Sequence, residues 1–277
     1  MKVWSNGDLL DAADVRISPF DHGLTVGDGV FETIDIRRGQ PFALTRHLQR
    51  LARSADGLGI AVPDLDLVRR AVDEVVAANR PERAAIRVTV TSGDGPIGSG
   101  RGDGGPTILV YIRPTKAWPP SEAVWVVPWP RNERGALAGV KTTSYGENAK
   151  ALAYAHERGA SEAIFGNTLG NLCEGTGTNV FVVTEGELIT PPLGAGCLAG
   201  VTRELVLELG LGALERDLPL SALAKADEAF LTSTTRDVGP IASVDGTPLP
   251  NGTGGPGPVA KRCQSAFEAL VARTLDP

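Results

Sequence analysis

Between Arg113 and Ala123 the chain reads RPTKAWPPSEA, with three prolines and no hydrophobic periodicity. A proline fixes its own φ and removes a backbone donor, so neither a helix nor an interior strand runs easily through such a stretch. It is the best linker in the chain, and it places a domain boundary near residues 113 to 121. A chain of 277 residues, 42% of them hydrophobic, has material for two modest cores. The reading is an N-terminal domain over 1–113, a linker over 114–121 and a C-terminal domain over 122–277.

The two sides of the linker are patterned differently. KVWSNGDLLD reads as a hairpin around Asn6-Gly7, a dipeptide that accepts the positive φ angles of a type I′ turn. GVFETIDIRRGQPFAL alternates through Val30, Glu32, Ile34 and Ile36, then turns at Gly39 into a second strand. TRHLQRLARSADGLG sets Leu48, Leu51, Ala52 and Ala55 on one helical face, and DLDLVRRAVDEVVAAN sets Leu65, Val68, Val72, Val75 and Val76 on another. AAIRVTVTS and TILVYI are strands flanking a glycine-rich loop at 93–105, so this side is a sheet carrying two helices, an α+β layer. Beyond the linker, AVWVVPW reads as a strand and GENAKALAYAHERGA as a helix. EAIFGNTLGNLCEGTGTNVFVVTEGELIT reads as an antiparallel meander of short strands. TRELVLELG and PVAKRCQSAFEALVART are helices, EAFLTST is one more strand, and a second glycine-rich loop covers 251–257.

Several functions are disfavoured at once. A net charge of −6 with scattered arginines does not make a phosphate-tracking surface, so no nucleic-acid partner is expected. No apolar run approaches a membrane span, and the N-terminus meets charge and turn residues early, so a soluble, unprocessed, cytoplasmic protein is expected. Cys173, Cys197 and Cys263 are too few and too far apart for a disulfide framework or a zinc site. Gly93, Gly95 and Gly98 match GxGxxG, yet Pro96, Pro106 and the further glycines forbid the helix that a dinucleotide needs there. Cys173 with His156 would suggest a thiol enzyme, but Cys173 sits in an apolar strand without a cation to activate it. His156 falls on a stripe with Ala149, Leu152 and Ala153 and reads as core-edge, while His22 and His47 read as capping or packing residues.

AGVKTTSYG places Lys141 at what reads as a strand end. On composition alone such a lysine is most often solvated. The apolar residues before it and small hydroxyls after it also suit a lysine nucleophile, whose amine must be partly neutral. In NLCEGTGTNVFVV, Glu174 lies inside an apolar strand, and a buried carboxylate needs a partner, either an arginine or the protonated nitrogen of a pyridine ring. Two segments offer anion sites. AGVTRELVLELG opens a helix directly after glycine, and LTSTTRD puts four hydroxyl residues, Thr232 to Thr235, at a strand end. Arg50 could complete such a clamp.

At this point the chain resembles the fold-type IV, class IV pyridoxal-phosphate aminotransferases, which include branched-chain and D-amino-acid aminotransferases and aminodeoxychorismate lyases. The resemblance rests on GDGVFET at 27–33, RHLQRLARSA at 46–55, VKTTSY at 140–145, CEGTGTNVFVV at 173–183, LAGVTRE at 198–204 and FLTSTTRDVGP at 230–240. It implies a smaller α+β N-terminal domain and a barrel-like C-terminal domain, with pyridoxal 5′-phosphate between them in a homodimer. It implies that Lys141 forms the internal aldimine and shuttles the proton, and that Glu174 pairs with the pyridine nitrogen. Arg50, Val201, Thr202 and Thr234 would bind the phosphate, and Tyr145 the phenolic oxygen. Phe31, Thr33, Arg87 and Thr235 would face the substrate, Arg87 its carboxylate. Asp35 stands where related enzymes carry a basic residue, and would either orient an arginine such as Arg87 or meet an amine. Arg101, in the first glycine-rich loop, would be a second carboxylate clamp. The implied reaction is ping-pong transfer of an amino group from an amino acid, a D-amino acid or an R-amine, to a 2-keto acid. The alternatives are elimination of pyruvate from aminodeoxychorismate and branched-chain transamination.

Overall fold

Asn6 and Gly7 take φ angles of 48° and 110° and join β1 (Lys2–Ser5) to β2 (Asp8–Asp11), the tight hairpin their conformational freedom allows. The computed structural model describes residues 1–115, 117–250 and 255–277; Lys116 of the expected linker and residues 251–254 of the second glycine-rich loop lie outside the described residues. The chain divides into two compact units, the first comprising Met1–Lys116, Val140–Tyr145 and Thr274–Pro277, the second Ala117–Gly139 and Gly146–Arg273. Among the described residues no helix is long and apolar enough to cross a membrane.

In the first unit, β1 and β2 are followed by a short helix α1 (His22–Thr25), by β3 (Gly29–Arg37) and by the stub β4 (Gln40–Pro41). Then come helices α2 (Leu44–Leu58) and α3 (Leu65–Asn79) and strands β5 (Arg83–Thr91) and β6 (Thr107–Arg113). The strands form one antiparallel sheet in the order β2-β1-β6-β5-β3-β4. Val30, Ile34 and Ile36 of β3 and Ile86, Val88 and Val90 of β5 point to one face, where Leu48, Leu51 and Ala55 of α2 and Val68, Val72 and Val75 of α3 close over them. The buried face of α2 is wider than the apolar pattern implies, because His47, Arg50 and Ser54 are buried with the leucines.

Two later segments join this unit. Thr142 bridges to Val30, and the Phe31 amide donates to the Lys141 carbonyl at 2.9 Å. The Ala43 amide donates to Leu275 O at 2.6 Å, and Asp276 accepts from the Thr45 amide at 2.9 Å. Residues 140–145 and 274–277, counted with 122–277 in the sequence, thus pack with the first unit, held by backbone hydrogen bonds that no composition shift announces. Lys141 is accordingly in irregular backbone just before an isolated bridge, and not at the end of a strand.

The second unit contains β7 (Glu122–Val126), α4 (Gly146–His156), β8 (Glu162–Gly166), β9 (Leu172–Gly175), β10 (Asn179–Thr184) and β11 (Glu187–Thr190). It continues with α5 (Val201–Glu208), β12 (Ala213–Glu215), β13 (Glu228–Ser233), β14 (Asp237–Val244), β15 (Thr247–Pro248) and α6 (Pro258–Arg273). Its curled sheet runs β12-β11-β10-β13-β14-β7-β8-β9, with β15 on β14. The antiparallel meander expected over β8 to β11 does not form. β9 and β10 sit on different stretches of the sheet, and β7–β8, β7–β14 and β11–β12 pair in parallel. Because α4 is the crossover between β7 and β8, those two strands must run the same way. The buried residues of α4 are Ala151 and Ala155, so the apolar stripe lies to one side of the one expected, and His156 is exposed. Small side chains set that stripe, and alanines carry too weak a pattern to phase a helix.

Candidate active site

β3 carries two kinds of side chain, one on each face. On the helix side, in phase with Val30 and Ile34, stands Glu32, which is completely buried. A lone carboxylate there would be expensive, and α2 supplies its partners. Arg50 donates to it through Nε at 2.8 Å and Nη2 at 2.7 Å, and His47 Nδ1 lies 2.7 Å from Glu32 Oε2. A carboxylate only accepts, so the His47 proton sits on Nδ1. Burial raises the Glu32 carboxyl, but Arg50 and His47 together overcome it and hold the group well below the ordinary carboxylate range. Burial pushes the His47 imidazole below its usual value, against Glu32 and with help from Arg50 and Lys141. Arg50, expected at a phosphate, is thus also the counter-charge of Glu32. A carboxylate in phase with core positions was the signal for this cluster, since only a paired charge survives there.

The opposite face of β3 presents Phe31, Thr33 and Asp35. Thr33 lies opposite Arg87, and Arg87 opposite Tyr111, so these side chains share that face. The Arg87 guanidinium lies 3.3 Å from the centre of the Phe31 ring, the Lys141 Nζ 4.4 Å from it, and the Tyr145 ring meets it edge-on at 5.1 Å. Lys141, Tyr145, Phe31, Thr33 and Arg87 are therefore one constellation within the first unit. Among the described residues Arg87 hydrogen-bonds only to Thr89 Oγ1, at 3.3 Å, and no carboxylate reaches it. Burial lowers its pKa, while Tyr111, Tyr145 and Glu32 act the other way.

Asp35 does not orient Arg87. It faces Ala85, is buried, and pairs with Arg37 Nε at 2.7 Å, so its charge is answered on its own strand. Nor is Arg101 a clamp in waiting. It grips Asp28 through Nε and Nη2 at 2.7 and 2.8 Å and donates to the carbonyls of Leu58 and Gly59 at the end of α2.

In the second unit, Glu174 Oε2 accepts the Leu198 amide at 2.9 Å, and the Leu198 carbonyl accepts Asn179 Nδ2 at 2.8 Å. This pins the approach to α5. Gly200 is its N-cap and no side chain caps it, while the amides of Val201 and Thr202 donate to no group among the described residues. A Cβ at Gly200 would run into Asn179 Oδ1, so close backbone approach requires glycine here. Thr232 pairs with Asn179 in the β10–β13 register, and its buried Oγ1 has no partner among the described residues. Thr234 and Thr235 stand in the turn after β13. That turn is tied down by Arg236, which reaches Glu122 at 2.8 Å and Glu162 at 3.2 Å; Glu162 in turn accepts the Thr176 amide at 3.0 Å. Leu198 thus ties Glu174 to the segment that leads into Val201 and Thr202, and Asn179 ties that segment to Thr232 at the end of β13. Glu174 also has Arg131 Nε at 3.8 Å from its Oε1, an arginine without any mark in the sequence.

Each unit's residues suit a part of pyridoxal phosphate. In the second, uncommitted helix-start amides and hydroxyls suit a phosphate ester and the half-buried Glu174 suits a pyridinium; in the first, an amine on an aromatic ring suits an aldehyde. The cysteines are no rivals. All three are free and buried; burial pushes Cys173 far up, Cys197 up to about 12 and Cys263 up to about 11.

Comparison with known proteins points the same way. The family described as amino-transferase class IV matches residues 29–244. A putative branched-chain-amino-acid aminotransferase of Methanocaldococcus jannaschii is 33% identical, over 98% of this chain and 96% of its own length. A D-alanine aminotransferase of Bacillus licheniformis is 32% identical, over 98% and 97%. Among solved structures, a hypothetical aminotransferase from Mycobacterium tuberculosis in its PLP-bound form superposes with a TM-score of 0.85 at 26% identity, covering 99% of this chain and 99% of that one.

Proposed function

The chain belongs to the class IV aminotransferases, pyridoxal-phosphate enzymes acting on amino acids and keto acids, and on that premise we propose that Lys141 carries its chemistry and Arg87 receives the substrate carboxylate. The observation that carries the reading is the Phe31 ring with the Lys141 amine at 4.4 Å and a carboxylate-free guanidinium at 3.3 Å. When bound, the cofactor supplies an aldehyde that condenses with amines and a protonated ring that draws electrons from the substrate. Lys141 would hold the cofactor by its aldehyde, and its Nζ is the base that would take the proton from the substrate α-carbon. Glu174 would accept the ring N–H. Val201 through its amide, Thr202, Thr234 and Arg50 would hold the phosphate, Tyr145 the phenolic oxygen, and Thr33 and Thr235 would line the substrate.

We assign D-amino acids as donors, on the hydroxyl run Thr232–Thr235 and the likeness to a D-alanine aminotransferase. Branched-chain L-amino acids are the second reading, favoured by the archaeal relative. A half-reaction screen decides. The yellow protein bleaches with D-amino acids under the first reading and with L-leucine, L-isoleucine or L-valine under the second. Release of pyruvate from aminodeoxychorismate without a keto acid would sink both. The enzyme works in the cytoplasm as a homodimer. Its three buried free thiols suit a reducing compartment, and Ile17, Phe20, Leu24, Val26 and Ile97 leave apolar surface exposed in the first unit.

A further inference from the structure

β9 contains an irregularity that decides where Glu174 points. Ile164 pairs with Gly175 and Phe165 with Glu174, but Gly166 then pairs with Leu172, leaving Cys173 as an extra residue. A bulge of this kind re-aims the side chains beside it. Glu174 is thereby the cross-strand neighbour of Phe165, and Arg131 lies over that same ring, its Cζ 4.1 Å from the centre.

Arg131 is fixed from several sides. Its amide donates to Gly166 O at 2.7 Å, and its Nη1 to Glu147 Oε2 at 2.6 Å and Asn148 Oδ1 at 3.2 Å. Its Nε and Nη2 are buried and hydrogen-bond to nothing among the described residues, with Nε 3.8 Å from Glu174 Oε1. Leaving two guanidinium donors buried without acceptors is costly, and a residue that only fastened α4 would have no reason to do so. The better-bonded carboxylate, Glu147, has a side chain 46% exposed, so water and salt screen it; Glu174, at 13%, feels the cation more fully.

We propose that Arg131 is a positioning residue acting through Glu174. Its charge keeps that carboxylate ionised and, with the Leu198 amide on the other oxygen, aimed at the pyridine nitrogen, so the proton the two groups share stays on the ring. Without the cation the proton passes from ring nitrogen to carboxylate, giving a neutral pair with no net change in protons. This rests on the reading of Glu174 as the ring-nitrogen partner, which the experiment checks separately.

The holoenzyme is loaded with pyridoxal phosphate labelled with 15N in the ring, and the nitrogen's chemical shift is followed across pH in wild type and in the Arg131→Met, Arg131→Lys and Glu174→Gln variants. Wild type and Arg131→Lys keep the ring protonated. In Arg131→Met the midpoint for losing that proton falls by roughly one pH unit or more, the effect of removing a charge at this range. The same variant loses about tenfold in kcat with little change in the donor's KM, as expected when transition-state stabilisation alone is reduced. A titration in Arg131→Met identical to wild type, with the ring deprotonated in Glu174→Gln, overturns the proposal and leaves the reading of Glu174 standing. An unchanged ring in Glu174→Gln removes that reading and the proposal with it. Should thermal unfolding of the apo forms show that Arg131→Met does not fold, Arg131→Lys decides, because it keeps the charge and loses the planar fork; deprotonation there overturns the proposal.

Discussion

Glu32 interrupts the core-facing row of β3, and its consequences are measurable without substrate. Glu32→Gln leaves the Arg50 guanidinium buried without its counter-charge, and a loss of roughly 3–5 kcal/mol in unfolding free energy is expected. Denaturant unfolding checks this. His47 adds a pH signature. Its folded value lies below the usual 6.5, so as pH falls through 6.5 the unfolded chain takes up a proton that the fold refuses, and stability drops. Glu32 acts in the same direction at lower pH, because its depressed carboxyl contributes stability above the usual 4.5 that is lost below it. The melting temperature should therefore begin to fall near pH 6 in wild type, and that first part of the fall should be missing in His47→Gln. On the other face, Arg87→Gln should raise the KM for carboxylate substrates by about tenfold or more, the loss of a charge-assisted pair, with cofactor uptake unchanged. Lys141 and Glu174 stood out in the sequence because each motif sets an ionisable group among apolar or small neighbours, and Arg87 only through the family resemblance. Arg131 did not, since its place beside Glu174 comes from stacking on Phe165, thirty-four positions away.

Helices and strands were legible where the apolar period is strong, as in α2, α3, β3 and β5. The reading failed where long-range pairing decides. The parallel pairing of β7 with β8 goes with the crossover through α4, and the alanine stripe of α4 gives no clear phase. α5 shows how an element makes chemistry from geometry. With Gly200 as N-cap the helix starts against Asn179 and leaves its first amides uncommitted. Gly200→Ala should force the helix start away from Asn179 and weaken pyridoxal-phosphate binding by about tenfold or more, at the scale of one or two hydrogen bonds to an anion. Titration of apo protein with cofactor, followed by absorbance, tests this. An unchanged affinity would mean that the first turn does not hold the phosphate.

At the scale of the whole chain, the strands before the proline-rich stretch form an antiparallel sheet under helices and those after it a mixed, curled sheet. The chain is nonetheless not divided at a single point. Residues 140–145 return to the first unit, which is how Lys141 comes to lie on Phe31. Local composition cannot register such a return. The proposed dimer is tested at this scale too. Phe20→Asp with Leu24→Asp should lower the mass seen by light scattering to that of one chain, whereas an unaltered mass would clear this surface of the role. The most direct test of the central claim is to reduce the holoenzyme with borohydride, which fixes the cofactor to whichever amine holds it, and to map the adduct by peptide mass spectrometry. A single adduct on Lys141 is predicted. An adduct on another lysine, or none, would contradict it.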